Sequence, residues 1–119
     1  MALFTVDAEF LVYMDSRNPL PTQKLRGRAA LVPVFGELNM HEATMHFNGQ
    51  NTTVLHGSGN ASGITYCLAH HVKVERSVRN LMIAAIRYLD TLVRESGAWL
   101  FSQRKLMVDW TETRTLATG

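Results

Sequence analysis

"RNLMIAAIRYLDTLVRESGAWLFSQRKLMVDWTETR", residues 79–114, is the stretch on which the fold turns. Its leucines, alanines and methionines suit a helix, since all three are strong helix formers. Two features turn the reading to strand. "ESG" at 95–97 is a hairpin turn signal, and the segment beyond it is rich in β-formers and ends in a threonine-alternating edge.

The chain upstream extends that pattern. Residues 44–56 and 61–74 flank "HGSGN", a turn with two glycines, and read as a second hairpin. "EFLVYM" at 9–14 is a short β-branched and aromatic run, so it predicts one earlier strand. "DSRNPLPTQ" at 15–23 carries two prolines and Asn18, which break regular structure and predict a loop. In "GRAALVPVFGELN", Leu31, Val34, Phe35 and Leu38 recur at helical spacing. Pro33 shortens or kinks that helix unless it lies in the first turn. The expected product is an α+β fold: four long antiparallel strands, one earlier strand, and a helix packed on one face.

Composition narrows the function classes. The 119 residues suit a single domain, 1–119, large enough to bury a core without disulfides. With 46% hydrophobic and 18% charged residues the chain reads as globular. Its net charge of +2 is spread along the sequence and no basic stripe is interleaved with aromatics, so no nucleic-acid partner is expected. Cys67 is the single cysteine, which excludes an internal disulfide and a thiolate zinc cluster. The opening "MALFTVDAEF" lacks the regions of a signal peptide, and "LMIAAI" is too short to cross a bilayer. A cytoplasmic location with no membrane partner is the expectation.

The 44–56/61–74 hairpin brings histidines together. A two-residue loop at Ser58-Gly59 sets His46 opposite His71, and a three-residue loop sets it opposite His70. Directly opposed residues share a face with Cβ atoms ~5 Å apart, while the other member of the doublet points away. A bulge at Asn48-Gly49 changes this register. Two imidazoles that titrate near ~6.5 can divide the roles of base and hydrogen-bond donor at neutral pH. Half-buried histidines bonded to backbone or water fit the same spacing. No third ligand shares the face, so no metal site is expected. His41 and His56 fall at loop or turn positions.

"LFTVDAEFLVY", "LRGRAALVPVF", "MHFNGQ", "GITYCLAHH", "IAAIRYLDTLVRESGAWLFSQRKL" and "VDWTETR" occur in an order that resembles the SnoaL-like branch of the nuclear-transport-factor-two-like superfamily. Within it the chain is similar to the group of scytalone dehydratase, bile-acid dehydratase and hexachlorocyclohexane dehydrochlorinase. The resemblance implies a cone-shaped, strongly curved antiparallel sheet, the cystatin-like α+β roll, closed by helices around an apolar cavity. It also implies a cofactor-independent lyase or isomerase acting on a small apolar, cyclic or aromatic molecule.

By the same resemblance His46, in His46-Phe47-Asn48-Gly49, is the general base. A second cavity histidine falls on His71, which favours the two-residue loop. Cavity positions fall on Tyr13, Tyr88 and Arg104. Cys67 and Ala69 share a face with His71 by alternation and become candidate walls. Family members begin with a helical segment that carries an orienting aspartate and a tyrosine. This chain opens at the "LFT" signature, so the expectation is that both are lacking here. Fold does not dictate activity, and the alternative is a non-catalytic ligand-binding or dimerisation module, homo-oligomeric through its sheet.

Overall fold

The computed structural model describes residues 3–31 and 43–116, with the backbone alone at 43, 44 and 46. Six strands form one mixed sheet: β1 (Phe4–Tyr13), β2 (Gln23–Arg26), β3 (Ala43–Leu55), β4 (Asn60–Glu75), β5 (Val78–Glu95) and β6 (Ala98–Thr115). Their order across the sheet is β2-β1-β6-β5-β4-β3. The four long strands follow one another as antiparallel hairpins. β1 runs parallel to β6 and closes that side, and β2 folds back on β1 through pairs such as Phe10 with Leu25.

The ambiguous run at 79–114 is strand throughout β5 and β6, with Ser96-Gly97 as its turn. Both residues take positive φ, 51° and 82°, the arrangement of a two-residue turn whose twist matches the flanking strands. The β4–β5 turn adopts the same form with no glycine: Arg76 and Ser77 sit at φ 52° and 66°. Side chains with a Cβ are strained there. Replacing Arg76-Ser77 by Asn-Gly is therefore expected to raise stability by about 1 kcal/mol, read as a higher midpoint in thermal or urea unfolding.

Three elements differ from the sequence reading, the first being β1, which begins at Phe4 instead of residue 9 and ends at Tyr13. The loop expected over 15–23 ends one residue earlier, because Gln23 already belongs to β2. That four-residue strand escapes a composition reading, since its pairing depends on tertiary contact with β1. The expected helix starts at residues 28–31, where Arg28 donates from Nη2 to the Phe4 carbonyl at 2.6 Å. Its continuation through Pro33, Val34, Phe35 and Leu38, together with His41, lies outside the described residues.

Bulges bend the sheet. The register slips between Asn48 and Asn51 in β3, between Phe4 and Glu9 in β1, and at Ser102 and Asp109 in β6, which are the extra residues opposite the β5 steps Thr91/Leu92 and Ala85/Ile86. Each extra residue kinks its strand and adds twist, which curls the long hairpins. One cluster on the inner face joins Cys67, Ala69, Ala84, Ile86 and Val108, with Tyr88 and Leu106 packed against it. A second joins Phe4, Ala8, Phe10 and Leu31 beneath the start of the helix. Among the described residues no helix is long and apolar enough to cross a membrane.

Candidate functional site

The inner face is hollow at its centre because small residues meet there. Ala69 and Ala84 are register partners on β4 and β5, and neither fills the space above it. Larger side chains stand around them: Phe10 and Val12 from β1 and Met14 just after it, Met82, Ile86 and Tyr88 from β5, Arg104, Leu106 and Val108 from β6. The result is an apolar cavity of about 270 Å³, with His71, Tyr88, Arg104 and Thr111 as its polar-tipped members. A concave, mostly apolar site with few polar groups is the usual form of a small-molecule pocket.

The hairpin register resolves the histidine geometry differently from either sequence alternative. Next to the turn, Leu55 pairs with Ala61 and Thr53 with Gly63, the three-residue alternative. The bulge between Asn48 and Asn51 then shifts the register by one, so Phe47 pairs with Leu68 and His46 with Ala69. His46 is thus opposite neither His71 nor His70. The bulge recognised at Asn48-Gly49 is the cause. The backbone of position 46 lies across from a cavity-lining alanine, two residues from His71 along β4. The His46 side chain is outside the described residues.

Other predicted residues divide. His71, Ala69, Tyr88 and Arg104 line the cavity. His70 alternates to the outer face, where its register partner is Ile83. Cys67 is buried on the same face as Ala69, below the lining, inside the inner cluster. Burial pushes its thiol up, against the lowering pull of Arg104, so it is a neutral packing group at physiological pH. Tyr13 needs correction. Phe10 and Val12 are the members of β1 that line the cavity, and Tyr13 alternates with them, so it is buried on the other side of the strand.

Asp90 is a site residue that the sequence reading missed. Only 7% exposed, it pairs in register with Arg104, and its Oδ1 lies 3.0 Å from Arg104 Nε. The two groups form a buried ion pair. The Arg104 guanidinium also lies over the Tyr88 ring, 3.8 Å from its centroid, and 4.8 Å from that of Phe101. A cation between two aromatic faces and a carboxylate is fixed in place. The available signal was parity: in "RYLDTL", Asp90 is two residues from Tyr88 and shares its face.

Electrostatics define what these groups can do. Burial raises the Tyr88 phenol above its ordinary value although Arg104 opposes it, so Tyr88 keeps its proton and acts as a donor. Burial also raises Asp90, and Arg104 offsets part of that rise. The cavity therefore joins an imidazole, a protonated phenol and a guanidinium around an apolar floor. Among the described residues no group of three or more His, Cys, Asp and Glu side chains gathers as a metal site requires.

A family model described as a SnoaL-like domain matches residues 1–105. No curated protein matches the chain. Among solved structures, a candidate scytalone dehydratase from Novosphingobium aromaticivorans superposes with a TM-score of 0.76 at 26% identity, over 93% of this chain and 69% of that one. A hexachlorocyclohexane dehydrochlorinase, LinA type 2, gives a TM-score of 0.73 at 18% identity, over 98% and 72%. The type 3 enzyme of Novosphingobium barchaimii gives 0.71 at 18% identity, over 98% and 73%. These likenesses establish a shared fold, the curved sheet described above.

Proposed function

Because this chain belongs to the SnoaL-like domain family, we propose that it is a small-molecule pocket protein and a cofactor-independent lyase of the dehydratase type, or an isomerase, acting on a cyclic or aromatic substrate. The observation that carries the reading is the convergence of His71, Tyr88 and Arg104 on one apolar cavity, with position 46 opposite its alanine floor. Register partners share a face of a sheet, so position 46 stands at the register of the cavity floor.

In the proposed dehydration His46 takes the proton from a carbon next to a carbonyl. Tyr88 donates a hydrogen bond to that carbonyl oxygen as charge develops on it, and the Arg104 guanidinium offsets the charge. The carbon–oxygen bond to the leaving hydroxyl breaks, and that oxygen departs as water with a proton from the His71 imidazolium. An isomerase returns the first proton to another carbon instead. Only protons move between protein and substrate, so no cofactor is called for. The neighbours' printed activities, a candidate dehydratase and a dehydrochlorinase, are consistent with loss of a small leaving group. The test is a panel of cyclic β-hydroxy ketones incubated without added cofactor and followed by absorbance of the conjugated product. Turnover that survives in a His46→Ala/His71→Ala double variant contradicts the proposal.

A second reading, a dimerisation module, is favoured by the outer face. Phe47, Leu68, Ala85 and Trp110 are consecutive register partners on β3, β4, β5 and β6. Phe47 and Trp110 are 65% and 53% exposed, which leaves an apolar row across the sheet. A homo-oligomer through this face is the expected assembly. Trp110→Glu is then expected to shift the chain to monomer in sedimentation analysis, and an unchanged sedimentation coefficient removes the row from the interface.

A further inference from the structure

The inner face holds a second cavity, also about 270 Å³, on the far side of Arg104 from the first. Its walls differ in chemistry. Asn51, Thr53 and Thr65 from the β3–β4 hairpin face Asp90, Trp99 and Phe101 across it. Gly63 is the register partner of Asp90, so the strand beside the carboxylate carries no side chain and leaves the space open. The polar wall is organised. Thr53 Oγ1 donates to Asn51 Oδ1 at 3.1 Å, and Asn51 Nδ2 donates to Thr65 Oγ1 at 2.5 Å.

That chain uses the lone pair of Thr65 and leaves its hydroxyl proton to donate elsewhere. Asp90 lines the same cavity as a buried carboxylate, its Oδ1 held 3.0 Å from Arg104 Nε. A carboxylate has about four lone-pair sites, and Arg104 occupies only part of that capacity, so Asp90 can accept a further donor from the cavity. One donor and one acceptor flanking a gap match a hydroxyl group, which is both. Charge selects the same class. Asp90 already neutralises Arg104, which weakens the case for an anion, and the guanidinium repels a cation.

We propose that this second cavity is a subsite for a hydroxyl-bearing arm of a neutral substrate, whose apolar ring occupies the first cavity, with Asp90 accepting from and Thr65 donating to the hydroxyl. The inference rests on the small-molecule reading above and adds the substrate class: an elongated, ring-bearing alcohol that lies across Arg104.

Two probes of nearly equal shape separate the possibilities: naphthylethanol, and propylnaphthalene, which replaces the hydroxyl by a methyl group. Binding is read by nuclear magnetic resonance from the Trp99 indole N–H, told apart from that of Trp110 by Trp110→Phe. The expected result is a shifted Trp99 resonance with naphthylethanol and about tenfold tighter binding of the alcohol, the size of one hydrogen bond to a charged group. Gly63→Val places a side chain beside Asp90, where a Cβ meets only the Thr52 carbonyl at 3.4 Å and Thr53 Oγ1 at 3.6 Å. It is expected to abolish the tenfold preference by closing the second cavity to the arm of either probe. Thr65→Val, nearly isosteric, is expected to reduce the preference should the glycine variant fail to fold.

Equal binding of both probes, with Trp99 unmoved, overturns the subsite and leaves the ring cavity intact. Failure of both probes to bind overturns the ring cavity and the subsite with it.

Discussion

His46→Ala is expected to lower turnover of a confirmed substrate by about 10²–10⁴-fold, the usual share of a general base in the rate. The expectation follows from register. Position 46 lies opposite Ala69, and Ala69 and His71 line the same cavity. If His46 removes the proton, the loss falls on kcat and kcat/KM together, because the lost interaction belongs to the transition state. His46→Gln keeps volume and hydrogen bonding but cannot replace the base, so it is expected to be nearly as slow. A loss below threefold removes His46 from the mechanism. His70→Ala is the control, since His70 lies on the outer face, and it is expected to leave kcat unchanged.

The second large effect concerns the buried ion pair. Arg104→Met is expected to cost about 3 kcal/mol at neutral pH, the low end for breaking a buried pair, because Arg104 keeps 22% of its side chain exposed. The substitution leaves the Asp90 carboxylate buried without a counter-charge and removes the contacts with Tyr88 and Phe101.

Asp90→Asn behaves differently. Burial raises the Asp90 pKa even with Arg104 present, so between the ordinary carboxylate value and the raised one the folded chain binds more protons than the unfolded chain. Asp90 therefore favours folding most below its unfolded value, and that contribution is lost as pH rises through the folded value. A neutral amide resembles the protonated acid, so Asp90→Asn is expected to leave stability at neutral pH unchanged or raised. For the same reason the Arg104→Met deficit is expected to shrink in acid. Urea unfolding of both single variants and the double variant at neutral and mildly acid pH checks all three expectations. Marked destabilisation by Asp90→Asn at neutral pH contradicts this account of the pair.

The sheet was legible because its signals are local. "ESG" and "HGSGN" turn the chain, and the segments between them are long enough to pair only as hairpins. β2 was not legible, since four residues without alternation become a strand only against β1. The histidine register was half legible. The bulge site could be read at Asn48-Gly49, but whether it forms depends on how the whole hairpin curls.

Arg104 and Tyr88 were named through family resemblance, and both line the cavity. Tyr13 was misplaced because the neighbouring residues of β1 are all apolar or aromatic, so parity alone did not reveal which face turns inward. Asp90 was missed for the opposite reason. A charged residue within a strand reads as solvent-facing until its partner is known, and that partner lies fourteen residues away across a turn.

The most direct test of the pocket is chemical-shift mapping of methyl and aromatic resonances against a panel of neutral aromatic alcohols and ketones. The account predicts shifts that gather at Met82, Ile86, Tyr88, Leu106, Val108 and the His71 ring, all of which line the apolar cavity. Phe47, Leu68 and Trp110 on the outer face should stay still. Shifts confined to that outer row, or no shift at the cavity residues across the whole panel, would contradict a small-molecule pocket.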